Sequence, residues 1–231
     1  MILPPPIFGT LIKRYKRFLA DVTLDTGETV TAHCANTGAM LQMADPGSRV
    51  MLSEATNPER KTRYDWQLVE VDGQWAGINT KVPNIMLREG FETGAVPEFR
   101  GYDSMRMEVK YGVNSRVDGL LTGPKGLFYL EAKNVTLVEN GRALFPDAVT
   151  ARGAKHLDEL AAMIKEGHRT ALFLLTQRMD TDSVGIASEI DPYYADKIHM
   201  ASEAGVEIIA WRAKVSPEEI TLDTTLPFHL P

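Results

Sequence analysis

The chain has 231 residues, 44% of them hydrophobic and 24% charged; this is the mixture of a folded globular protein, long enough for one large domain or two small ones. Its formal net charge of -6 excludes coating of nucleic acid by bulk attraction, because that affinity comes from cations displacing phosphate counterions, and leaves only local patches as a basis for binding. No apolar run approaches the ~20 residues needed to cross a bilayer, and the opening MILPPPI lacks the basic region and cleavage site of an export signal, so a soluble, cytoplasmic protein without a membrane partner is expected.

From Gly9 to about Asn79, short β-rich runs alternate with the turn signals Asp25-Thr-Gly, Asp45-Pro-Gly and Asp72-Gly, which predicts a small barrel over residues 1–81. Lys13, Arg14, Lys16 and Arg17 form one basic patch in it, and Arg60, Lys61 and Arg63 a second. Phe8, Tyr15, Phe18 and Trp66 are interleaved with them. In an OB-like barrel such aromatics stack bases beside a groove that tracks the backbone; a barrel core with a wet cationic face fits the pattern equally well. Cys34, the lone cysteine, agrees with a reducing compartment and reads as a small buried hydrophobe.

At Val82-Pro-Asn the pattern changes to a helical apolar stripe, and a second domain is expected over residues 82–231. The order predicted there is a helix to about Glu92, strands near 105–111, 115–122 and 127–137, and a helix from Ala151 to Lys165 capped by Thr150. A strand near 170–177, a helix opened by Asp191-Pro192 and ended at Gly205, and a strand near 206–213 complete an αβββαβαβ sequence.

The segment from Ser115 to Asn134 reads as one hairpin turning at Pro124-Lys125, so that residues whose numbers sum to 249 face each other and Asp118 opposes Glu131. Like charges so placed repel unless a cation lies between them. Lys133 shares the face of Glu131, while Val117, Gly119, Leu121, Leu130 and Ala132 form the opposite, core face. Two carboxylates holding Mg²⁺ or Mn²⁺ beside an ammonium are what phosphodiester cleavage requires, with Glu89 on the preceding helix as a further candidate for the shell. A solvated sheet face on which Arg116, Asp118, Glu131 and Lys133 merely compensate one another fits the same spacing.

In the helix after Thr150, Leu157, Leu160, Ala161 and Ile164 form the buried stripe and Arg152, Lys155, His156 and Glu159 the exposed side. Arg152 and Lys155 fall in the first turn, where free N–H groups attract phosphate, so Arg116, Arg152, Lys155 and His156 join the barrel cations as candidate nucleic-acid contacts. His33, His168, His199 and His229 show no ligand spacing.

Five long words distinguish the chain: GTLIKRYKRFLAD from Gly9, TAHCANTGAM from Thr31, NSRVD from Asn114, EAKNVTL from Glu131 and LFPDAVTARGAKHL from Leu144. They resemble the sugar fermentation stimulation protein family, SfsA, over nearly the whole length. The resemblance implies an OB-like barrel followed by a restriction-endonuclease-like domain of the PD-(D/E)xK type, with Asp118, Glu131 and Lys133 on its motif. Ala132 and Gly119 depart from the valine and phenylalanine usual there, at positions that hold no expected ligand. The resemblance also implies DNA as partner; the cationic first turn after Thr150 would suit RNA as well, and the oligomeric state is open, a homodimer included. Two functions stand at this point: a divalent-metal-dependent nuclease, and a non-catalytic, non-specific DNA-binding regulator linked to sugar metabolism.

Overall fold

The computed structural model describes residues 1–57, 59–112 and 115–231. Strands β1 (Ile7–Tyr15), β2 (Leu19–Leu24), β3 (Thr29–Cys34), β4 (Arg49–Glu54) and β5 (Tyr64–Val71) pair in the order β3-β2-β1-β4-β5. A parallel β3–β5 pairing closes the ring, and β6 (Gln74–Gly77) extends from β5. Closure follows from alternation: Ala20, Val22 and Leu24 of β2 point inward, where they meet Leu11, Cys34 and Trp66. Trp66 is wholly buried, its indole N–H bonded to the Leu68 carbonyl at 2.8 Å, so it belongs to the core and not to a stacking surface. Of the interleaved aromatics only Phe18, 47% exposed, remains open.

The second part begins with α1 (Val82–Glu92) and a single 3₁₀ turn, Pro97–Phe99. Strands β7 (Ser104–Tyr111), β8 (Ser115–Gly123), β9 (Gly126–Val135), β10 (Leu137–Glu139) and β11 (Arg142–Phe145) lead into α2 (Ala151–Lys165). Then come β12 (Arg169–Thr176), β13 (Ser183–Ile186), α3 (Pro192–Glu203), β14 (Glu207–Val215), β15 (Ile220–Thr225) and β16 (Phe228–His229). The central sheet runs β15-β14-β12-β9-β8-β7, with β9, β12 and β14 parallel and its outer strands antiparallel. The expected αβββαβαβ order is present. It is augmented by the edge strand β15 and by a small sheet, β10-β11-β13-β16, whose strands of two to four residues are too short to carry a periodic pattern.

On one face of the central sheet, Val82, Met86 and Leu87 of α1 pack on Leu121, Phe128, Leu130 and Phe173, and Met51 and Leu68 of the barrel enter the same cluster. On the other face, Leu157 and Leu160 of α2 and Tyr194 and Ile198 of α3 cover Val117, Leu120, Tyr129 and Leu172. The part of the β8–β9 hairpin that carries Asp118 and Glu131 is therefore not the solvated face that the alternative reading of its spacing offered, because helices cover both sides of this mixed sheet. For the same reason α2 buries a wider arc than one stripe. His156, expected on its exposed side, is only 5% exposed, whereas Ala161 and Ile164 are half-buried.

The caps hold as expected: Thr150 Oγ1 accepts from Gly153 N at 3.1 Å and an Asp191 oxygen from Tyr194 N at 3.0 Å. Asp191 also accepts from Thr150 N at 2.8 Å, tying the starts of α2 and α3 together. Among the described residues, no helix is long and apolar enough to cross a membrane.

Candidate active site

The β8–β9 ladder runs from Gly123↔Gly126 to Gly119↔Leu130, in the register expected from the turn. At Asp118 it opens. The Ala132 N–H donates to Asp118 Oδ2 at 2.7 Å, and Asn84 of α1 donates to Asp118 Oδ1 at 2.9 Å. From that fork a cavity of about 390 Å³ extends, and Asp118, Glu131 and Lys133 all line it.

Glu131 is 2% exposed, and its Oε1 receives both the Lys133 ammonium, at 2.5 Å, and His156 Nδ1. Arg152 Nε donates to His156 Nε2 at 3.4 Å, which makes Nε2 the acceptor and places the ring proton on Nδ1, toward Glu131. Glu131 Oε2 is buried and has no partner. Burial raises the Glu131 pKa, but Lys133 and His156 outweigh it and hold the carboxyl below its ordinary range. Asp118 goes the other way: burial, then repulsion from Glu131, pushes it up against the opposing pull of the Ala132 N–H, Lys133 and Asn84.

The barrel supplies the facing wall. Asn36, Thr37 and Gly38, beyond the end of β3, line the cavity together with Thr80. Arg14 Nη2 donates to the carbonyls of Asn36 and Gly38, both at 2.9 Å, and of Arg17 at 2.7 Å. Arg17 in turn donates to the Thr37 carbonyl from Nε at 3.0 Å and from Nη2 at 2.6 Å. Asp147, also on the lining, accepts from Met40 N at 2.8 Å. A Cβ on Gly38 would lie 2.8 Å from Asp147 Oδ2, so only glycine lets the wall approach this closely.

The structure brings together Asp118, Glu131, Lys133, Arg152 and His156 from the expected set, and leaves the others outside. Glu89 is turned away and pairs with the Met1 ammonium at 2.7 Å; Asn84, on the same helix, takes the place expected for it beside Asp118. Arg116 donates to the Glu108 carbonyl at 3.0 Å and lines a separate recess with Lys110 and Tyr111. Lys155 lies 3.6 Å from Glu159 on the exposed side of α2. Lys13 lies 3.7 Å from Asp21 and over the Tyr15 ring, Lys16 is exposed on the following turn, and Arg14 and Arg17 are committed to carbonyls. Asn114, the first residue of the NSRVD word, lies outside the described residues.

Reasoning from charge pattern missed Asn36, Thr37, Gly38, Thr80, Asn84, Asn134 and Asp147. A signal existed for several of them, since Asn36–Gly38, Asn134 and Asp147 all sit inside the long words quoted above. Among the described residues, no group of three or more His, Cys, Asp or Glu side chains is poised to hold a metal. An ion here would rest on two carboxylates completed by water and substrate oxygens, a coordination Mg²⁺ accepts. The unpartnered, buried Glu131 Oε2 next to Asp118 fits such an ion.

Residues 12–78 match the family described as the SfsA N-terminal OB domain, and residues 81–219 the sugar fermentation stimulation protein RE domain. A sugar fermentation stimulation protein homolog from Pelobacter propionicus is 57% identical over 230 residues, covering 100% of both chains. Another, from Geobacter sulfurreducens, is 56% identical over 228 residues and covers 98% of both. In three dimensions the chain is similar to Pyrococcus furiosus SfsA, whose structure is in complex with Ca²⁺, with a TM-score of 0.91, 27% identity and coverage of 99% of this chain and 98% of that one.

Proposed function

The chain belongs to the sugar fermentation stimulation protein family, and on that premise we propose that it is a divalent-metal-dependent nuclease that binds DNA and cleaves phosphodiester bonds. One observation carries this reading: a buried carboxylate oxygen, Glu131 Oε2, is left without a partner beside a second carboxylate whose pKa is raised by burial and by the Glu131 charge. A scaffold used for binding alone gains nothing from holding Asp118 desolvated beside the Glu131 charge, which costs stability until a cation joins the two carboxylates.

Asp118 and Glu131 would hold Mg²⁺ or Mn²⁺, which supplies polarisation of the scissile phosphate and a lowered pKa for bound water. The Ca²⁺ complex of the Pyrococcus relative supports a site for a hard cation with oxygen ligands. Lys133 neutralises charge that builds on the phosphate in the transition state. His156 keeps the Glu131 carboxylate oriented, and Arg152 keeps His156 in the tautomer that does so. Arg152 also lines the cavity, where its guanidinium meets an entering phosphate.

The test incubates labelled single- and double-stranded DNA and RNA with the protein in Mg²⁺ or Mn²⁺, alongside Asp118→Ala and Lys133→Ala. Cleavage by the wild type that is lost in both variants, with binding retained, is expected. No cleavage of any substrate would sink the enzyme. The second reading, a non-catalytic DNA-binding regulator linked to sugar metabolism, would then stand; it is favoured by the lack, among the described residues, of a third metal-ligating side chain.

A further inference from the structure

We propose that the cavity admits one unpaired nucleotide, so that the substrate is a single-stranded segment of nucleic acid and not a duplex; this rests on the nuclease reading of the same site. The reacting end of the cavity is recessed, with Glu131 2% and His156 5% exposed, so a phosphate must enter to reach it. At about 390 Å³ the space is of the size that encloses a small molecule.

The remaining lining has the chemistry of a nucleoside pocket. Asn36, Thr37, Thr80, Asn134 and Thr136 offer neutral amides and hydroxyls, and Phe145 offers a ring. Such groups hydrogen-bond base edges and sugars and stack on bases that have left a helix. Asn134 is already oriented to bind in this way. Gln177 Nε2 donates to its Oδ1 at 2.6 Å, which fixes the amide, while its Nδ2 is buried and unpartnered. A ligand acceptor would satisfy it.

A duplex would bring a second strand of phosphates against the barrel side, and phosphates call for cations. Among the described residues, the cavity lining on that side carries no cation. The lining cations, Lys133 and Arg152, both come from the second part of the chain, and Arg14 and Arg17 behind the wall are spent on its carbonyls.

The experiment measures fluorescence anisotropy in EDTA, where cleavage is silent, for a labelled blunt-ended two-strand DNA duplex, the same duplex with a single-stranded tail, and the RNA counterparts of both. The tailed forms are expected to bind at least ~10-fold more tightly, the effect of about one stacked base. Equal affinity for the blunt forms overturns the proposal. Added Mg²⁺ or Mn²⁺ should confine cleavage to the tail, and cuts inside the paired region at a comparable rate overturn it as well. If nothing is cut, the nuclease reading fails while the affinity ratio still decides the pocket.

Thr37→Trp provides the second arm, because Thr37 is exposed and its contact with Arg17 uses only the backbone carbonyl. The variant should abolish the tail preference while leaving Mn²⁺ affinity, read by isothermal titration, unchanged. An undiminished preference would argue that the wall does not touch the nucleotide.

Discussion

Lys133 Nζ and His156 Nδ1 converge on the same oxygen of Glu131, Oε1, and leave Oε2 without a partner. Both partners thereby stabilise the ionised carboxylate, and neither contacts the second oxygen. The arrangement gives the charge of Glu131 to one oxygen's neighbours and, on the proposed reading, would leave ligation to the other oxygen.

Replacing Glu131 by Ala removes one member of a buried ion pair and strands Lys133 and His156. The expected cost is about 3 kcal/mol, or roughly 6–12 °C of Tm for a chain of this size. Thermal unfolding checks it; a Tm within a degree of wild type would mean that the cluster contributes nothing to the fold.

Asp118 should behave oppositely in metal-free protein. Burial and then the Glu131 charge raise its pKa, so the folded state holds this proton more tightly than the unfolded one and loses stability as pH climbs above the ordinary value of 3.8. Glu131, with a lowered pKa, contributes stability above 4.5 that is lost as pH falls through its folded value. Asp118→Asn should thus raise Tm at neutral pH, and the gain should vanish near pH 4 or on adding Mg²⁺ to the wild type. A neutral-pH Tm at or below wild type contradicts this.

On the proposed metal site, His156 would act as a positioning residue through its contact with Glu131. Its removal by His156→Ala should weaken divalent binding by ~10–100-fold, read by isothermal titration with Mn²⁺, with partial recovery in His156→Gln, whose amide can still donate to Glu131. Unchanged Mn²⁺ affinity would detach His156 from the metal site.

The four barrel cations should divide into two kinds. Lys13→Ala and Lys16→Ala should each lower the slope of log affinity for DNA against log salt by ~0.7–0.9. Arg14→Ala should leave that slope alone and instead cost about 2 kcal/mol, or roughly 4–8 °C of Tm, because its charged hydrogen bonds to the loop are lost. A salt slope altered as much by Arg14→Ala as by Lys16→Ala would show that the guanidinium is available to phosphate after all.

What could be read in advance was local. The Gly123–Gly126 turn sets the hairpin register by itself, and Thr150 and Asp191 announce their helices by their own hydrogen bonds. Exposure could not be read the same way, since whether His156 or Glu131 meets water depends on which helix lies over which sheet face. Glu89 follows Asn84 by five residues on one helix, about 140° around it at 3.6 residues per turn, so it leaves the face beside Asp118 and pairs with the Met1 ammonium. The barrel wall was the least legible part. Its anchor joins Met40 to Asp147 across 107 residues, and no periodicity links positions so distant.

The Arg14 and Arg17 clamp has a consequence for how the molecule could be divided or recombined. The clamped loop, the Asp147 contact and the entry of Met51 and Leu68 beneath α1 leave the C-terminal half, taken alone, with an open cleft and an uncovered apolar patch. A barrel exchanged for a foreign one would have to bring its own arginines and a glycine that tolerates Asp147. The two halves thus form a single tool, and any chimera that keeps the cavity must carry the seam between them intact.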